Sequence, residues 1–411
     1  MTTSTPAAAP RTLGVGLISV GWMGRLHTRA YKGIAERYPE LNVRTRLVVA
    51  ADPVPASQAE AVNLLGYERA VADYHEVLAD PEVDVVSICA PNFLHKEMAL
   101  AAAAAGKPFW IEKPMGRSAA ESAEIAAAVA AAELVTAVGF NYRHAPAVEK
   151  ARDLIRSGAL GRVTNVRGAF FADYSSDPAG ALTWRFIRER AGSGVLGDLL
   201  SHGLDLAQYL VGRIGSATSL TETFITERAK PSGAAASHFS RAEGTPEPVE
   251  NEDYAALLIR FDNGAVGTFE SSRISIGPRA DYSIEVYGTK GSLRWNFQRM
   301  NELEVCLGTD GGAAGATGAA AYGYTTMLTS PGHGDFGRFQ PGGGTGMGFD
   351  DLKTIEAAQF LSSVLTGEQL APSVADGWAA AEIVAAAEAS ADDRAWHDVK
   401  VVTGPLTYDR V

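Results

Sequence analysis

Cysteine is nearly absent from this chain. Only Cys89 and Cys306 occur in 411 residues, too few for a disulfide framework. Both stand in apolar, strand-like contexts that suit buried thiols in a reducing compartment. Charge is sparse too, at 20% of residues against about 25% in ordinary domains. With 36 basic and 48 acidic side chains, the formal net charge is −12. No basic cluster offsets that balance, so the electrostatic footprint of a nucleic-acid binder is missing. Long apolar runs are missing as well. The richest, Ile125 to Phe140, is interrupted by Glu133 and is too short to span a bilayer. Met1 to Pro10 has neither a charged n-region nor an apolar h-region, so no signal peptide is expected. No internal repeat is visible. These absences point to a soluble cytoplasmic protein with neither a nucleic-acid nor a membrane partner.

Glycine, by contrast, is plentiful. Its 43 residues are about a tenth of the chain, where about 7% is usual. At roughly 150 residues per domain, the length predicts two or three domains. Hydrophobic residues, at 46%, suffice for a substantial core.

From Thr12 to Phe140, short apolar runs alternate with helical stretches. Strands are expected at 13–19, 47–51, 83–89, 109–111 and 135–140, with helices at 24–37, 56–65, 94–105 and 119–132. Continuous apolar strands separated by helices imply a parallel sheet buried on both faces, in a doubly wound α/β domain. After Asn141 the rhythm changes. A helix is expected over 146–157, then strands at 163–171, 254–261, 265–271, 283–287 and 292–296. Asn263-Gly264 suits the positive φ of a hairpin, and 287–293 holds a second turn. This half reads as a largely antiparallel sheet with a few helices, closed by helices near 350–365 and 375–389. The Gly/Ala/Pro-rich stretches 229–250 and 308–348 are expected to be loops.

Three segments carry chemistry. The first strand runs into Ser19-Val20-Gly21-Trp22-Met23-Gly24, a dinucleotide fingerprint with Ser in place of its first glycine. Gly21 would let the backbone approach a pyrophosphate, and the following helix N-terminus favours an anion. Asp52, after the second strand, would accept hydrogen bonds from ribose hydroxyls and repel a 2′-phosphate, favouring NAD over NADP. It lies 28 residues beyond Gly24, where about 20 is usual, so 38–46 is expected to be an extended connection. An ordinary strand–turn–helix remains the alternative. Next come Ala90-Pro91-Asn92-Phe93-Leu94-His95 and Glu112-Lys113-Pro114, each after a later strand, where ligands collect in such sheets. Lys113 is a candidate active-site cation; a plain surface lysine is the alternative.

The third segment is Gly192 to Asp205, in which Asp198, His202 and Asp205 fall at i, i+4 and i+7, one face of a helix. A histidine beside a carboxylate can serve as general base. A helix-start aspartate with a satisfied buried histidine, or an Asp-His-Asp metal site, would show the same spacing.

Taken in order, these segments resemble the glucose–fructose oxidoreductase / inositol dehydrogenase (Gfo/Idh/MocA) family over nearly the whole chain. The stretch 90–95, then 105–114 with its Glu-Lys-Pro, matches one family motif; Gly192 to Asp205 matches another, with Ser193 replacing the middle glycine. Gly139 to Arg143 and Tyr287 to Leu293 match too. Within the family the likeness is nearest to glycoside 3-dehydrogenases of the levoglucosan dehydrogenase type, on Trp184-Arg185-Phe186, the approach 169–178, Ser330-Pro331-Gly332-His333 and the insertion 229–250.

The resemblance implies an N-terminal Rossmann domain (1–140) and a C-terminal α/β domain (141–411) with an open, mostly antiparallel sheet that associates subunits into a homodimer or homotetramer. It implies NAD-dependent oxidation of a secondary ring hydroxyl, at C3, of a sugar, glycoside or anhydrosugar. Lys113 would then stabilise alkoxide charge, His202 take the hydroxyl proton, and Asp198 orient the ring. Ser19, Gly21, Trp22, Met23 and Asp52 would hold the cofactor's pyrophosphate and ribose. Ala90, Pro91, Asn92, His95, Glu112, Lys113, Asn141 and Arg143 would line its nicotinamide end, although Glu112 could instead be held by the fold. Tyr174, Arg185 and His333 are further substrate candidates, and Trp184 and Arg185 could equally anchor their loop. No metal is expected. An inositol or cyclitol dehydrogenase, an NAD-dependent glycosidase and a non-enzymatic NAD(H) or sugar sensor are the competing functions.

Overall fold

The computed structural model describes residues 9–231, 240–308 and 323–408. The first sheet has the strands β1 (Arg11–Ile18), β2 (Val43–Ala51), β3 (Arg69–Val71), β4 (Val85–Ile88), β5 (Phe109–Ile111) and β6 (Thr136–Val138). All pair in parallel, in the order β3-β2-β1-β4-β5-β6. β4, β5 and β6 are buried at every residue, because helices cover both faces. These helices are α1 (Trp22–Arg37), α2 (Pro55–Glu60), α3 (Tyr74–Ala79), α4 (Asn92–Ala104) and α5 (Ala119–Ala131). The strand order reverses between β1 and β4, which opens a crevice at their carboxyl ends.

The expected extended connection at 38–46 is absent. α1 starts at Trp22, a short turn occupies Pro39–Leu41, and β2 already begins at Val43. A long helix and a nine-residue strand account for the spacing between Gly24 and Asp52.

Beyond α6 (Pro146–Arg156) lies the second sheet. It comprises β7 (Val163–Phe171) and β8 (Ile214–Glu222), then, after the separate hairpin β9 (Glu227–Ala229) and β10 (Pro246–Pro248), β11 (Tyr254–Phe261), β12 (Val266–Ser272), β13 (Asp281–Gly288), β14 (Gly291–Asn296), β15 (Glu302–Leu307), β16 (Thr325–Leu328) and β17 (His397–Asp398). Only β12 and β7 pair in parallel among these neighbours. Its strands alternate, as β11 shows: Ala255, Leu257, Ile259 and Phe261 face the core, while Tyr254, Ala256, Leu258 and Arg260 face away. α7 (Arg188–Ala191) and α8 (Ser201–Val211) precede β8, and α9 (Phe336–Phe339), α10 (Phe349–Thr366) and α11 (Val374–Asp393) follow β16. At the β11–β12 hairpin only Gly264 takes positive φ, 87°.

The two stretches expected to be loops hold the short strands β10 and β16, paired with β9 and β15, and the four-residue helix α9; 232–239 and 309–322 fall outside the described residues. The closing helices return to the first sheet. Ala357, Phe360 and Leu361 of α10 join the apolar cluster of Leu13, Val15 and Tyr31, and Val374 and Ala380 of α11 join that of Val86, Ile88 and Ile125. No helix among the described residues is long and apolar enough to cross a membrane.

Candidate active site

At the crevice, β1 ends in a turn built for close approach. Ser19 stands where the fingerprint has its first glycine and takes a left-handed backbone, φ 75°, at a cost of about 1 kcal/mol. A Cβ on Gly24 would sit 2.3 Å from the Ser19 carbonyl oxygen, so this glycine is needed for helix α1 to pack. A Cβ on Gly21 would meet no protein atom within 4 Å. Its bareness leaves room for a ligand rather than for the fold. Among the described residues no side chain caps the N-terminus of α1, and no acidic residue stands in its first turn. Those N–H groups and their dipole suit a pyrophosphate. Asp52 lies beside this turn, its two oxygens accepting from Val20 N and Val54 N at 2.9 Å each.

A cleft of about 420 Å³ extends from the turn to the second sheet's side. It is lined by Ser19, Gly21, Trp22, Met23, Ala90, Pro91, Asn92, His95, Glu112 and Lys113 from the first unit, and by Tyr174, Trp184, Arg185 and Asp198 from the second. Lys113 Nζ donates to the Asp198 carbonyl at 2.6 Å and to Asp198 Oδ1 at 3.1 Å. Two ammonium N–H groups are so used, and among the described residues the third is left for a ligand. Tyr174 Oη donates to Asp198 Oδ2 at 2.7 Å, and Arg185 approaches Oδ1 at 3.9 Å. Burial alone would raise the Asp198 carboxyl, but Lys113, Arg185 and the Tyr174 hydroxyl more than offset it and hold it well below the usual range.

Asp198 rises from an irregular turn. Leu196–Leu200 is π-helical before α8 begins, a wide turn that recurs at functional sites. His202 follows, buried against Tyr142 (ring centroids 4.7 Å apart) and Phe140. Burial, then the Lys113 charge, push its imidazole well below 6.5, so it is neutral near pH 7. A neutral imidazole is the form that accepts a proton.

Several expected site residues do other work. Arg143 does not line the nicotinamide end. It is 2% exposed and engages both oxygens of Asp205, Asp376 and Thr407 Oγ1. Asp205 is thereby spent on Arg143 rather than left for an Asp-His-Asp metal site. His333 is not at the cleft either: its Nδ1 accepts from Ser330 N, and the adjoining Asp335 accepts from Tyr38 Oη just beyond the far end of α1. Glu112 borders the cleft, yet its carboxylate accepts from Lys353 Nζ at 2.5 Å and pairs with His27 Nε2 at 2.8 Å. His95 has both ring nitrogens against carbonyls, Nδ1 2.8 Å from that of Pro114 and Nε2 2.7 Å from that of Ala90, which holds the ring to the fold. Asn141 is buried at the foot of the second unit and is not part of the cleft lining.

Sequence reasoning missed Lys353 and His27, the partners of Glu112. It also missed Phe349, whose ring stacks on Trp22 at 5.8 Å. These contacts join residues up to 327 positions apart, and no local pattern announces them.

Comparison with known proteins decides the family. Residues 13–140 match the model described as oxidoreductase family, NAD-binding Rossmann fold, and residues 148–294 match the GFO/IDH/MocA C-terminal domain. The chain belongs to the Gfo/Idh/MocA oxidoreductase family. Levoglucosan dehydrogenase of Pseudarthrobacter phenanthrenivorans is 38% identical over 96% of this chain and 100% of its own. The NAD-dependent scyllo-inositol 2-dehydrogenase of Bacillus subtilis is 31% identical over 66% of this chain and 71% of its own. Among solved structures, levoglucosan dehydrogenase in complex with NADH and levoglucosan superposes with a TM-score of 0.87 at 36% identity, covering 95% of this chain and 100% of that one. As a member of this family, the protein is an oxidoreductase acting on CH–OH groups, with an NAD-binding Rossmann domain over residues 13–140.

Proposed function

We propose that the protein is an NAD-dependent dehydrogenase that oxidises a secondary ring hydroxyl, at C3, of a sugar, glycoside or anhydrosugar to the ketone. The observation that carries this is the Lys113–Asp198 pair in the cleft that continues from Gly21, with His202 buried near enough for both charges to act on it. Its likeness to levoglucosan dehydrogenase over 96% of the chain supports the substrate class.

The bound NAD supplies the hydride acceptor. Lys113 donates its remaining N–H to the reacting hydroxyl oxygen and stabilises the charge that develops there. His202, neutral before reaction, takes the hydroxyl proton. Asp198 keeps Lys113 in place and accepts a hydrogen bond from the neighbouring hydroxyl, which sets the ring against His202. Tyr174 holds the other Asp198 oxygen, and Arg185 and Trp184 bound the far side of the ring. Ser19, Gly21, Trp22 and Met23 hold the pyrophosphate; Asp52 faces the ribose; Ala90, Pro91 and Asn92 wall the nicotinamide end.

In this scheme residues 1–140 bind the cofactor, and 141–411 bind substrate and associate subunits. Support for the latter comes from the outer face of the second sheet, where Leu220, Leu258 and Val266 are exposed together.

The test is a panel of levoglucosan, glucosides, inositols and 1,5-anhydrosugars with NAD, followed by NADH formation and by NMR of the product. A 3-ketone from a sugar or anhydrosugar is expected. Faster turnover of inositols, or release of free aglycone without net NADH, would replace the proposal with a cyclitol dehydrogenase or a glycosidase.

A further inference from the structure

The described residues of the insertion that begins after β9 have no part in the chemistry above, yet they pack onto the segment that carries the substrate-facing side chains. β9 and β10 pair across it, with Arg228 opposite Glu247. Leu182 N donates to the Ala229 carbonyl and Ala181 N to the Ser240 carbonyl, both at 2.8 Å. Leu182, Phe186 and Val249 form a small apolar cluster of their own.

Arg228 points inward from this hairpin and is 2% exposed. Its guanidinium donates to the carbonyls of Ser175 (2.5 Å), Asp177 (2.7 Å) and Gly180 (3.3 Å). Those carbonyls belong to the loop that presents Tyr174 to Asp198. A Cβ on Gly180 would lie 2.7 Å from the guanidinium, so the loop is shaped to admit it. The same guanidinium rests on the Phe186 ring at 4.4 Å.

A second buried arginine does the matching work from just beyond β12. Arg273 lies over the same ring at 4.7 Å, pairs with Asp253 at 2.8 Å, and accepts Ser175 N on its own carbonyl at 3.0 Å. It also donates to Asn251 Oδ1 at 3.0 Å, and Asn251 Nδ2 donates to the Arg185 carbonyl at 2.8 Å. The next residue, Glu252, accepts Val195 N on its carbonyl and Leu196 N on its side chain, at the root of the turn bearing Asp198. Tyr174, Arg185 and Asp198 are thus all fastened to one buried bracket. Two like charges buried over one ring are a poor device for stability alone, since apolar replacements of similar shape commonly serve as well. Guanidinium forks do fix the direction of several carbonyls at once.

We propose that Arg228 and Arg273 are positioning residues for substrate, and that the paired strands β9 and β10 set the selectivity of the site by holding Tyr174, Trp184 and Arg185 against Asp198. The proposal rests on the dehydrogenase assignment above and deepens it.

The test uses the full-length enzyme with saturating NAD and the best wild-type substrate of the panel. In Arg228→Gln, KM for the ring substrate is expected to rise about tenfold, with KM for NAD and kcat changed by less than about threefold. Arg228→Lys keeps the charge without the fork and is expected to leave KM raised. Loss of kcat at unchanged KM, an equal loss toward substrate and NAD, or full recovery in Arg228→Lys would each overturn the proposal. Should Arg228→Gln fail to fold, Phe186→Leu keeps both guanidinium groups and is expected to raise the same KM; an unchanged KM there counts against it. If the wild type oxidises no panel member, the dehydrogenase assignment fails separately. Hydrogen exchange over 172–186 then decides the bracket: faster exchange in Arg228→Gln or Phe186→Leu supports it, and unchanged exchange overturns it.

Discussion

Glu112 and Lys113 are neighbours in the chain but face two regions that use charge in opposite ways. Behind β5, Glu112 is enclosed by His27 and Lys353, and Lys353 reaches on to Glu356 at 2.8 Å. The His27 and Trp110 rings stack there at 3.4 Å. In front, Lys113, Asp198, Tyr174 and Arg185 border an open cleft. Both groups hold ionised side chains away from bulk water. The rear group spends its hydrogen-bonding capacity on itself, whereas the front group leaves an ammonium N–H and the Arg185 guanidinium, a third exposed, for a ligand. Burial and charge alone do not mark a catalytic residue. Unspent donors facing a cleft do.

The largest expected effect lies in front. Lys113→Ala should lower kcat by about 10³-fold while NAD still binds, as fluorescence titration would report; substantial turnover would remove Lys113 from the chemistry. Behind, Glu112→Gln should act on stability instead. Breaking one partner out of a buried ion pair costs about 3–5 kcal/mol, so the melting temperature should fall while kcat per folded molecule changes little. A collapse of kcat at unchanged melting temperature would erase the distinction between the two regions.

A smaller effect is expected at the edge of the front region. Asp52→Ala should weaken NAD by about tenfold, about 1.4 kcal/mol, and improve NADP relative to NAD. An unchanged ratio in steady-state kinetics would take Asp52 off the ribose. The last expected effect concerns pH. Burial holds His27 down to about 4 and His144 to about 3, whereas unfolded imidazoles titrate near about 6.5. The unfolded chain therefore binds more protons below that value, so stability is full above about pH 6.5 and declines as pH falls toward 4. A melting temperature flat from pH 7 to 4 would contradict it.

Much of the front region was legible in advance, because its residues sit in short motifs at strand ends. Ser19 to Gly24, Pro91-Asn92, Glu112-Lys113 and Asp198 with His202 could be located from local pattern, since a parallel sheet delivers its strand ends to one crevice. The rear region was not. Nothing near Glu112 in sequence tells its neighbour's role from its own, and its partner Lys353 arrives from α10. Arg143 misled for the same reason: it adjoins a family-like motif, but Asp205 and Asp376 absorb its charge. His333 misled because its Ser-Pro-Gly-His stretch is family-like, but the neighbouring Asp335 accepts from Tyr38 beyond the end of α1 instead.

The sequence by itself determined the alternating βα rhythm, the strand–turn–helix at Ser19–Gly24 and the segments that carry the proposed trio, because periodicity and turn chemistry act over a few residues. Only the tertiary structure decided which charged side chains were spent on the fold. Glycine shows both sides: Gly21 and Gly24 are explained by their own turn, but Gly180 has meaning only because Arg228 arrives beside it from 48 residues away. Local chemistry proposes partners; long-range packing determines which hydrogen bonds remain to be made.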